Sequence, residues 1–439
     1  MSKKQGATCS LTVLNRHIFP YDTLSKKWGA SRSSPETSIQ KFIQLNEKAF
    51  RFLGITAQGT YTPQGYALQL TTSRYAGAAT LLSPRDGVSA ESLVINGKYG
   101  EDVAELMSLI GAFVRPEFNH DIRLKATNFV VPPLYTECLN FIRLFDEAEK
   151  YHWRKFVSIP VTQPYPSNST RWETYAARSY DPTQALNYPN KPNTLTTQHP
   201  EWHQLLAVLS FAIEELSSPR TPQNVQTAYH TTTTRLKRHI ATPQPLPSRP
   251  FVLHSYDPIL IKQLKSTANH LIAHTSHAFC AWRMDYAEFY ERYVQYIFTQ
   301  ISQRKGIRMV CNPKYNIAGA FLPWGMRYIE PDIVLQGSAT QYVIDAKYKA
   351  HLYNLSSEDN DELRETFRHD LHQILAYTSF QDQANKSALL VYPASSFVYK
   401  PQIIKNPLNG CRCTVSLVGI PLKRTQLEAT TAALAELIS

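Results

Sequence analysis

The stretch from Pro331 to Lys349, PDIVLQGSATQYVIDAKYK, constrains the fold of this chain more than any other. Two short runs of β-prone residues, Ile333 to Leu335 and Tyr342 to Ile344, flank the sequence Gly337-Ser338-Ala339. Gly and Ser are typical of tight turns, and apolar runs on either side of a turn are typical of paired strands. The pattern therefore predicts a β-hairpin.

Two acidic residues occupy equivalent positions on the two strands of this predicted hairpin. If the hairpin closes symmetrically about Ser338 and Ala339, Asp332 and Asp345 lie directly opposite each other. Directly opposed residues have Cβ atoms roughly 5 Å apart, and like charges at that distance are destabilising. A divalent cation would compensate, because hard cations prefer carboxylate oxygens. Lys347 follows Asp345 by two residues and shares its face of the strand, as in a metal-dependent phosphodiesterase.

Charge and composition limit the class of protein. The 439 residues suffice for two or three domains. Lys and Arg number 46 against 35 Asp and Glu, a net charge of +11 that favours a polyanionic partner. The six cysteines form no CxxC pair, which argues against a zinc ribbon or a disulfide framework. The first residues, MSKKQGATCSLTV, lack the apolar core of a signal peptide, and no run approaches the ~20 apolar residues of a membrane span. We expect a cytoplasmic protein without a membrane partner.

Residues 1–133 are predicted to form a β-rich N-terminal module. Residues Pro35 to Leu53 have a helical apolar face that follows Ser33 and Ser34. Residues 54–100 contain β-rich runs broken by Gly, and Asn96-Gly97 is typical of a hairpin turn.

Residues 134–275 are predicted to form a helical, Pro-rich middle region. Helices are expected from Leu134 to Phe156 and from Glu201 to Leu216. The segment between Pro160 and Pro250 holds 13 of the 28 prolines, which is incompatible with one compact regular domain. The basic run Arg235 to His239 would either contact phosphates or form the exposed end of a helix.

Residues 276–439 are predicted to form an α/β domain around the hairpin. The predicted order is α-β-β-β-α-β with a trailing strand and helix, that is, a three-layer core. The first helix begins at Asp285, a second covers Asp361 to Phe380, and a buried strand follows at Ala388 to Tyr392. The whole chain is thus expected to be α/β, or α+β overall.

This C-terminal part resembles the PD-(D/E)XK nuclease superfamily. Its motifs are similar to those of the McrC family, the nuclease subunit of McrBC-type restriction systems. The resemblance is carried by four motifs: PDIVL at 331–335, IDAKYK at 344–349, YERYV at 290–294 and QILAY at 373–377. It is strong over residues 285–395. It is looser in the N-terminal half.

The resemblance implies roles for six residues. Asp332, Asp345 and Glu291 would bind Mg²⁺. Lys347 would orient or deprotonate the attacking water and offset charge on the phosphate; because nearby carboxylates favour its charged form, we expect electrostatic positioning more than proton abstraction. Gln373 and Tyr377, one helical turn apart, would contact the DNA backbone or Lys347.

Two acidic residues leave alternatives open. By the symmetry of the hairpin, Glu330 faces Lys347 and would be able to hold its amine in an ion pair. Glu288 shares a helix face with Glu291. Glu291 is preferred because it matches the family motif.

The resemblance implies a Mg²⁺-dependent DNA endonuclease subunit that acts with an oligomeric, McrB-like AAA+ GTPase or ATPase. The chain lacks GxxxxGK[ST], so nucleotide hydrolysis would belong to that partner. The N-terminal module would dock on the partner and stimulate it. Two alternatives remain at this point: a stand-alone repair or recombination nuclease, and a non-catalytic scaffold that binds DNA or activates the NTPase.

Overall fold

The computed structural model forms two compact units. It describes residues 10–13, 16–28, 34–88, 90–99, 102–123, 132–240, 244–277, 280–319, 323, 325–337, 340–352, 360–381, 385–405, 410 and 412–438. One unit combines residues 1–132 with 277–439, and the other consists of residues 133–276. Ser338 and Ala339 of the predicted turn, and Ser33, lie outside the described residues. No helix in the described part of the chain has the length and apolar character needed to cross a membrane.

The described residues between 10 and 123 form seven strands and four helices. The strands are β1 (Ser10–Val13), β2 (Arg16–Pro20), β3 (Ile55–Thr62), β4 (Gly65–Thr72), β5 (Tyr75–Leu82), β6 (Ala90–Ile95) and β7 (Glu117–Arg123). The helices are α1 (Tyr21–Trp28), α2 (Pro35–Leu45), α3 (Glu47–Leu53) and α4 (Val103–Ile110).

The single helix predicted from Pro35 to Leu53 is wrong, because the chain breaks at Asn46 into α2 and α3. The Asn46 side chain donates to the carbonyl of Leu82 and accepts from its backbone N–H, at 2.9 and 2.6 Å. A buried amide must find such partners, and here they lie on strand β5, far along the chain. Periodicity alone does not reveal that contact.

The unit formed by residues 133–276 is helical with four short strands. The helices are α5 (Tyr135–Lys150), α6 (Trp172–Ala176), α7 (Pro200–Leu216), α8 (Gln223–Lys237) and α9 (Ile259–His277). The strands are β8 (Lys155–Ser158), β9 (Val161–Gln163), β10 (Tyr188–Asn190) and β11 (Asn193–Thr196). The helix predicted from Leu134 to Phe156 ends earlier, at Lys150. The basic run is the end of α8, where Arg235 pairs with Asp146 and Glu149.

The described residues from 280 onward contain nine strands and three helices. The strands are β12 (Cys280–Asp285), β13 (Arg308–Cys311), β14 (Tyr315–Asn316), β15 (Tyr328–Ile329), β16 (Ile333–Gln336), β17 (Gln341–Ala346), β18 (Asn385–Pro393), β19 (Val398–Lys405) and β20 (Arg412–Ile420). The helices are α10 (Tyr286–Lys305), α11 (Asn360–Thr378) and α12 (Leu427–Leu437). The mixed α/β class expected from the sequence is confirmed. Strand β19 was not expected.

A six-stranded sheet holds the predicted hairpin at its centre. Its strand order is β13-β16-β17-β18-β20-β19; β17, β18 and β20 run parallel, and the other pairs are antiparallel. Ile333, Leu335 and Ile344 pack in one core with apolar residues of α10 and α12. Val334 and Val343 pack in another core with residues of α11. Because side chains alternate along a strand, Asp332 and Asp345 lie on the α11 face.

Strand β12 joins the first and last parts of the chain in one sheet. It lies between β5 and β7 in a five-stranded sheet of order β1-β6-β5-β12-β7. Asp285 then caps α10 by accepting from the N–H groups of Ala287 and Glu288 at 3.0 and 3.1 Å. The helix that carries Glu291 therefore starts directly from a sheet built mostly by residues before 124.

Candidate active site

The hairpin closes in the register predicted from the sequence. Ile333 pairs with Ile344 and Gln336 with Gln341. Extending this register by one residue places Asp332 opposite Asp345. The backbone N–H of Ala346 donates to Asp332 Oδ2 at 2.7 Å, which holds the carboxylate against the neighbouring strand.

Asp345 is a buried carboxylate and Asp332 is a half-buried one. Burial, then repulsion from Asp345 and Glu291, raises the pKa of Asp332 to about 8, against an ordinary value of 3.8. Asp345 is only 1% exposed, and burial also raises its pKa, although the nearby Lys347 partly opposes this. Without a cation, the two carboxylates are therefore costly to keep charged together.

Lys347 is held in a chain of side chains. Its ammonium lies 2.7 Å from Asp345 Oδ2 and donates to Gln373 Oε1 at 2.9 Å. Gln373 Nε2 in turn donates to the hydroxyl of Tyr377 at 2.7 Å. Burial alone would lower the pKa of Lys347, but Asp345 and Asp332 outweigh it and the pKa is raised. Lys347 is therefore a fixed cation rather than a proton acceptor.

Glu291 approaches the hairpin through two amides. Asn312 Nδ2 donates to Glu291 Oε1 at 2.9 Å, and Gln295 Nε2 donates to the same oxygen at 3.2 Å. The N–H of Asn312 donates to the carbonyl of Asp332 at 2.9 Å. Glu288, the alternative helix acid, instead pairs with Arg292 on the exposed side of α10.

Glu330 does not hold the amine of Lys347. Within the described residues, that ammonium makes its polar contacts with Asp345 and Gln373. The alternative in which Glu330 sequesters Lys347 is therefore wrong for this structure. The ammonium points instead to Asp345 on the preceding strand and to Gln373 on α11.

Sequence reasoning missed a second ion pair beside the first. Lys349 Nζ lies 2.6 Å from Asp370 Oδ1, and the Tyr392 hydroxyl donates to Asp370 Oδ2 at 3.1 Å. Asp370 is 1% exposed. It precedes Gln373 by three residues and Tyr377 by seven, which places all three on one helix face. The spacing of these three residues in the sequence was the signal from which Asp370 could have been identified.

Tyr348 lies between Lys347 and Lys349 in the sequence, and its side chain contacts residues from the N-terminal part of the chain. The N–H of Lys98 donates to its hydroxyl at 3.2 Å, and its ring packs edge-on against Tyr99 with centroids 4.9 Å apart. Lys347 and Lys349 thus reach the α11 side while Tyr348 anchors the segment between them.

The residues at this site fit a hard divalent cation. Among the described residues, no donor reaches Asp345 Oδ2 with hydrogen-bond geometry, although the Lys347 ammonium lies beside it. No group of three or more His, Cys, Asp or Glu side chains in the described ranges is already gathered as a metal cluster. Mg²⁺ needs no such cluster, because it binds through one or two carboxylates and completes its shell with water and phosphate oxygens. Two desolvated carboxylates and a nearby third satisfy that requirement.

Chemically, the arrangement combines buried anions that need a cation with a fixed ammonium beside them. Carboxylate oxygens and a lysine on one face suit the binding of a phosphate group and a metal together. The structure brings together Asp332, Asp345, Lys347, Gln373 and Tyr377, and it places Glu291 at their edge through Asn312.

Comparison with known proteins agrees with the motifs. The family model described as McrBC 5-methylcytosine restriction system component matches residues 259–393, which include all six predicted site residues. The predicted resemblance to McrBC-type restriction systems is confirmed over this stretch. No curated protein matches the chain.

Two solved structures are similar to the chain. One is a half-complex from the tetradecameric assembly of Thermococcus gammatolerans McrB AAA+ hexamers with bound McrC, with 12% identity, 98% of this chain and 100% of that chain covered, and a TM-score of 0.45. The other is the McrBC complex of the same organism, with 11% identity, 83% and 100% covered, and a TM-score of 0.31.

Proposed function

We propose that this protein is the nuclease subunit of a McrBC-type restriction system, a cytoplasmic Mg²⁺-dependent enzyme that hydrolyses DNA phosphodiester bonds. The observation that carries the proposal is the placement of Asp332, Asp345 and Lys347 on one strand-pair face, inside the segment that matches the McrBC family model. The net charge of +11 supports a nucleic-acid substrate.

Asp332 and Asp345 would hold the metal, and Glu291 would complete its shell. Bound Mg²⁺ supplies a coordinated water of lowered pKa and offsets charge that develops on the phosphate. Because the pKa of Asp332 is raised to about 8, its carboxyl must release a proton when the metal binds.

Lys347 would contribute a positive charge to the phosphate and the attacking water. Its raised pKa keeps the ammonium protonated, so it stabilises charge and does not accept the proton. Gln373 fixes the ammonium, and the Tyr377 hydroxyl fixes Gln373. These two residues act as positioning residues.

The partner would be an oligomeric McrB-like AAA+ NTPase that uses GTP. The chain has no phosphate-binding GxxxxGK[ST] motif of its own. The N-terminal module, residues 1–133, would dock on this partner and stimulate hydrolysis, residues 134–275 would form a separate region, and residues 276–439 would form the nuclease domain.

The test measures cleavage of plasmid DNA, with and without cytosine methylation, by the full chain. Mg²⁺, the McrB-like partner and GTP are each added or omitted. We expect little or no cutting by the chain alone, cutting with all components, and loss of cutting in Asp345→Ala. Asp361→Ala is the matched control, because the Asp361 side chain is 95% exposed.

Cleavage that survives Asp345→Ala would contradict the site assignment. Full cutting without partner or nucleotide would indicate a stand-alone nuclease. Stimulation of the partner's GTP hydrolysis without any cutting would indicate a non-catalytic scaffold.

A further inference from the structure

A cleft within residues 133–276 combines exposed aromatic rings with a buried charged floor. Its volume is about 660 Å³, within the range of ~300–1,000 Å³ usual for small-molecule sites. The residues that matter here are Tyr151, Trp153, Lys155, Phe156, Tyr256 and Asp257. We call it the aromatic cleft. None of these residues belongs to the active site.

The rings at the cleft have free surface. Phe156 is 69% exposed and Tyr256 is 73% exposed. The ring of His254 stacks on Tyr256 with centroids 4.8 Å apart and an interplanar angle of 7°. One face of Tyr256 is thus covered by His254, whereas most of the residue's surface remains exposed. Exposed rings of this size are suited to stacking against a planar ligand.

The floor of the cleft holds a carboxylate with an unused oxygen. Asp257 Oδ2 accepts from Lys265 Nζ at 2.7 Å, whereas Oδ1 has no hydrogen-bond donor among the described residues. Lys155 Nζ lies 3.8 Å from Oδ1 and is already bound to Glu201 at 2.6 Å. Asp257 is 4% exposed. A buried acceptor without a donor costs free energy, so a ligand that donates there would be stabilised.

The charges around the cleft select among ligands. Lys155 lies 4.6 Å from the Trp153 ring centroid and 5.9 Å from that of Tyr256, so the cation site between these rings is already filled. Arg154 also lines the cleft and has no polar partner among the described residues. Lys155, Lys265 and Arg154 outnumber the two carboxylates Asp257 and Glu201, and this excess disfavours a cationic ligand. It favours one with a phosphate, which a guanidinium binds well.

We propose that the aromatic cleft binds a nucleotide of unpaired DNA whose base carries an exocyclic amino group. The base would stack on Phe156 and Tyr256, its amino group would donate to Asp257, and its phosphate would contact Arg154. Carboxylates accept from the amino group of cytosine, and aromatic platforms bind single strands because every base has a π face. The base must be unpaired, because neither its faces nor its pairing edge is free inside a duplex.

The test uses the full chain in EDTA, so that no DNA is cut, and measures fluorescence anisotropy of labelled 12-mers of dC, dA and dT and of a duplex. We expect Phe156→Ala and Tyr256→Ala each to lower affinity for dC by about 10-fold and to leave duplex affinity unchanged. Tyr180→Ala is the matched control, because Tyr180 is 83% exposed and does not line the cleft.

Asp257→Asn tests the role of the carboxylate. We expect the wild-type chain to prefer dC and dA over dT, which has no exocyclic amino group, and this variant to lose the preference. Melting temperatures identify variants that fail to fold, and the two exposed-ring variants keep the test valid if Asp257→Asn is one of them. Asp361→Asn, at a side chain that is 95% exposed and belongs to neither site, should change neither affinity nor preference. Because the assay measures binding without metal, its outcome is independent of the active-site assignment.

Single-strand affinity unchanged in both ring variants, or lowered equally by Tyr180→Ala, would overturn the proposal. Loss of binding to the AAA+ partner in the ring variants, with DNA affinity intact, would assign the cleft to a protein contact and would overturn it as well.

Discussion

Two carboxyl groups set the electrostatics of the candidate active site. Asp345 is buried and Asp332 is half-buried on the same face, and Lys347 pairs with only Asp345. In the absence of a cation, the charged form of Asp332 is disfavoured in the folded protein. This has a measurable effect on stability.

We predict that metal-free stability falls as pH rises from about 4 to about 8. The pKa of Asp332 is about 8 in the folded protein against 3.8 ordinarily, so in this window the folded state binds more protons than the unfolded state. Thermal melts in EDTA at several pH values would measure the slope of stability against pH. Asp332→Asn should reduce it, and Mg²⁺ should raise the melting temperature by several degrees at pH 8.

The control for this experiment is Glu288→Gln, because the Glu288 side chain is 45% exposed and pairs with Arg292. It should leave the slope as in the wild type. An Asp332→Asn variant that keeps the full slope would show that another group titrates.

Asp370 and Lys349 form a second pair, and breaking it should destabilise the protein. We predict that Asp370→Asn lowers the free energy of unfolding by about 1–3 kcal/mol, because a buried carboxylate that binds Lys349 and Tyr392 is replaced by an amide. Urea unfolding measures the change. Asp361→Asn is on the same helix, but its side chain is 95% exposed, so it should change the free energy of unfolding little. Equal losses in the two variants would mean that any substitution in α11 destabilises the protein, which would contradict the prediction.

At the scale of elements, α11 organises the site on one side of the sheet. Asp370, Gln373 and Tyr377 lie on one face of this helix. Asp370 and Gln373 bind the two lysines that follow β17, and the Tyr377 hydroxyl accepts from Gln373. The QxxxY spacing was visible in the sequence because it repeats with the helical period. The role of Asp370 depends on Lys349, and the sequence does not show that the two meet.

Strand β12 is the element that links the part of the chain carrying the candidate active site to the N-terminal sheet. It pairs with β5 through Trp282 opposite Ala78 and Arg283 opposite Gly77. A Cβ atom on Gly77 would lie 2.8 Å from the Cα of Arg283. Only glycine allows the two backbones to approach this closely.

We therefore predict that Gly77→Ala costs about 1–3 kcal/mol of stability, measured by urea unfolding, because the obstructing atoms are backbone and cannot move alone. Gly59→Ala is the control. Its added Cβ would meet the hydroxyl end of Tyr66, which is able to rotate away. A larger loss in Gly59→Ala would contradict the argument.

At the scale of the whole molecule, one compact unit is built from two separated parts of the chain. Residues 1–132 and 277–439 share the five-stranded sheet, and Leu106 and Met107 of α4 belong to the same core as α10. The part of the chain after residue 276 thus packs against residues before 133.

We predict that a fragment of residues 277–439 does not fold cooperatively alone. Strand β12 would lose both neighbours and expose Ala281, Trp282 and Met284, which are 6% exposed or less. Gel filtration and thermal melts would show aggregation or a broad transition. Coexpression with residues 1–132 should restore a single sharp transition, and a fragment that melts like the intact chain would refute this prediction.

The sequence by itself determined the hairpin, its register and the face shared by Asp332, Asp345 and Lys347. These features depend on residues close in the chain and on the period-two alternation of strands. The same holds for the α/β class and for the facing of Gln373 and Tyr377, which follow from local periodicity.

Only the tertiary structure decided which partner each charged group takes. Lys347 bonds to Gln373 rather than pairing with Glu330, Glu291 reaches the hairpin through Asn312 and Gln295, and Asp370 meets Lys349. The pairing of β12 with β5 was likewise decided by the tertiary structure. Each depends on residues brought together from distant parts of the chain, and periodicity carries no record of which distant residues pack together.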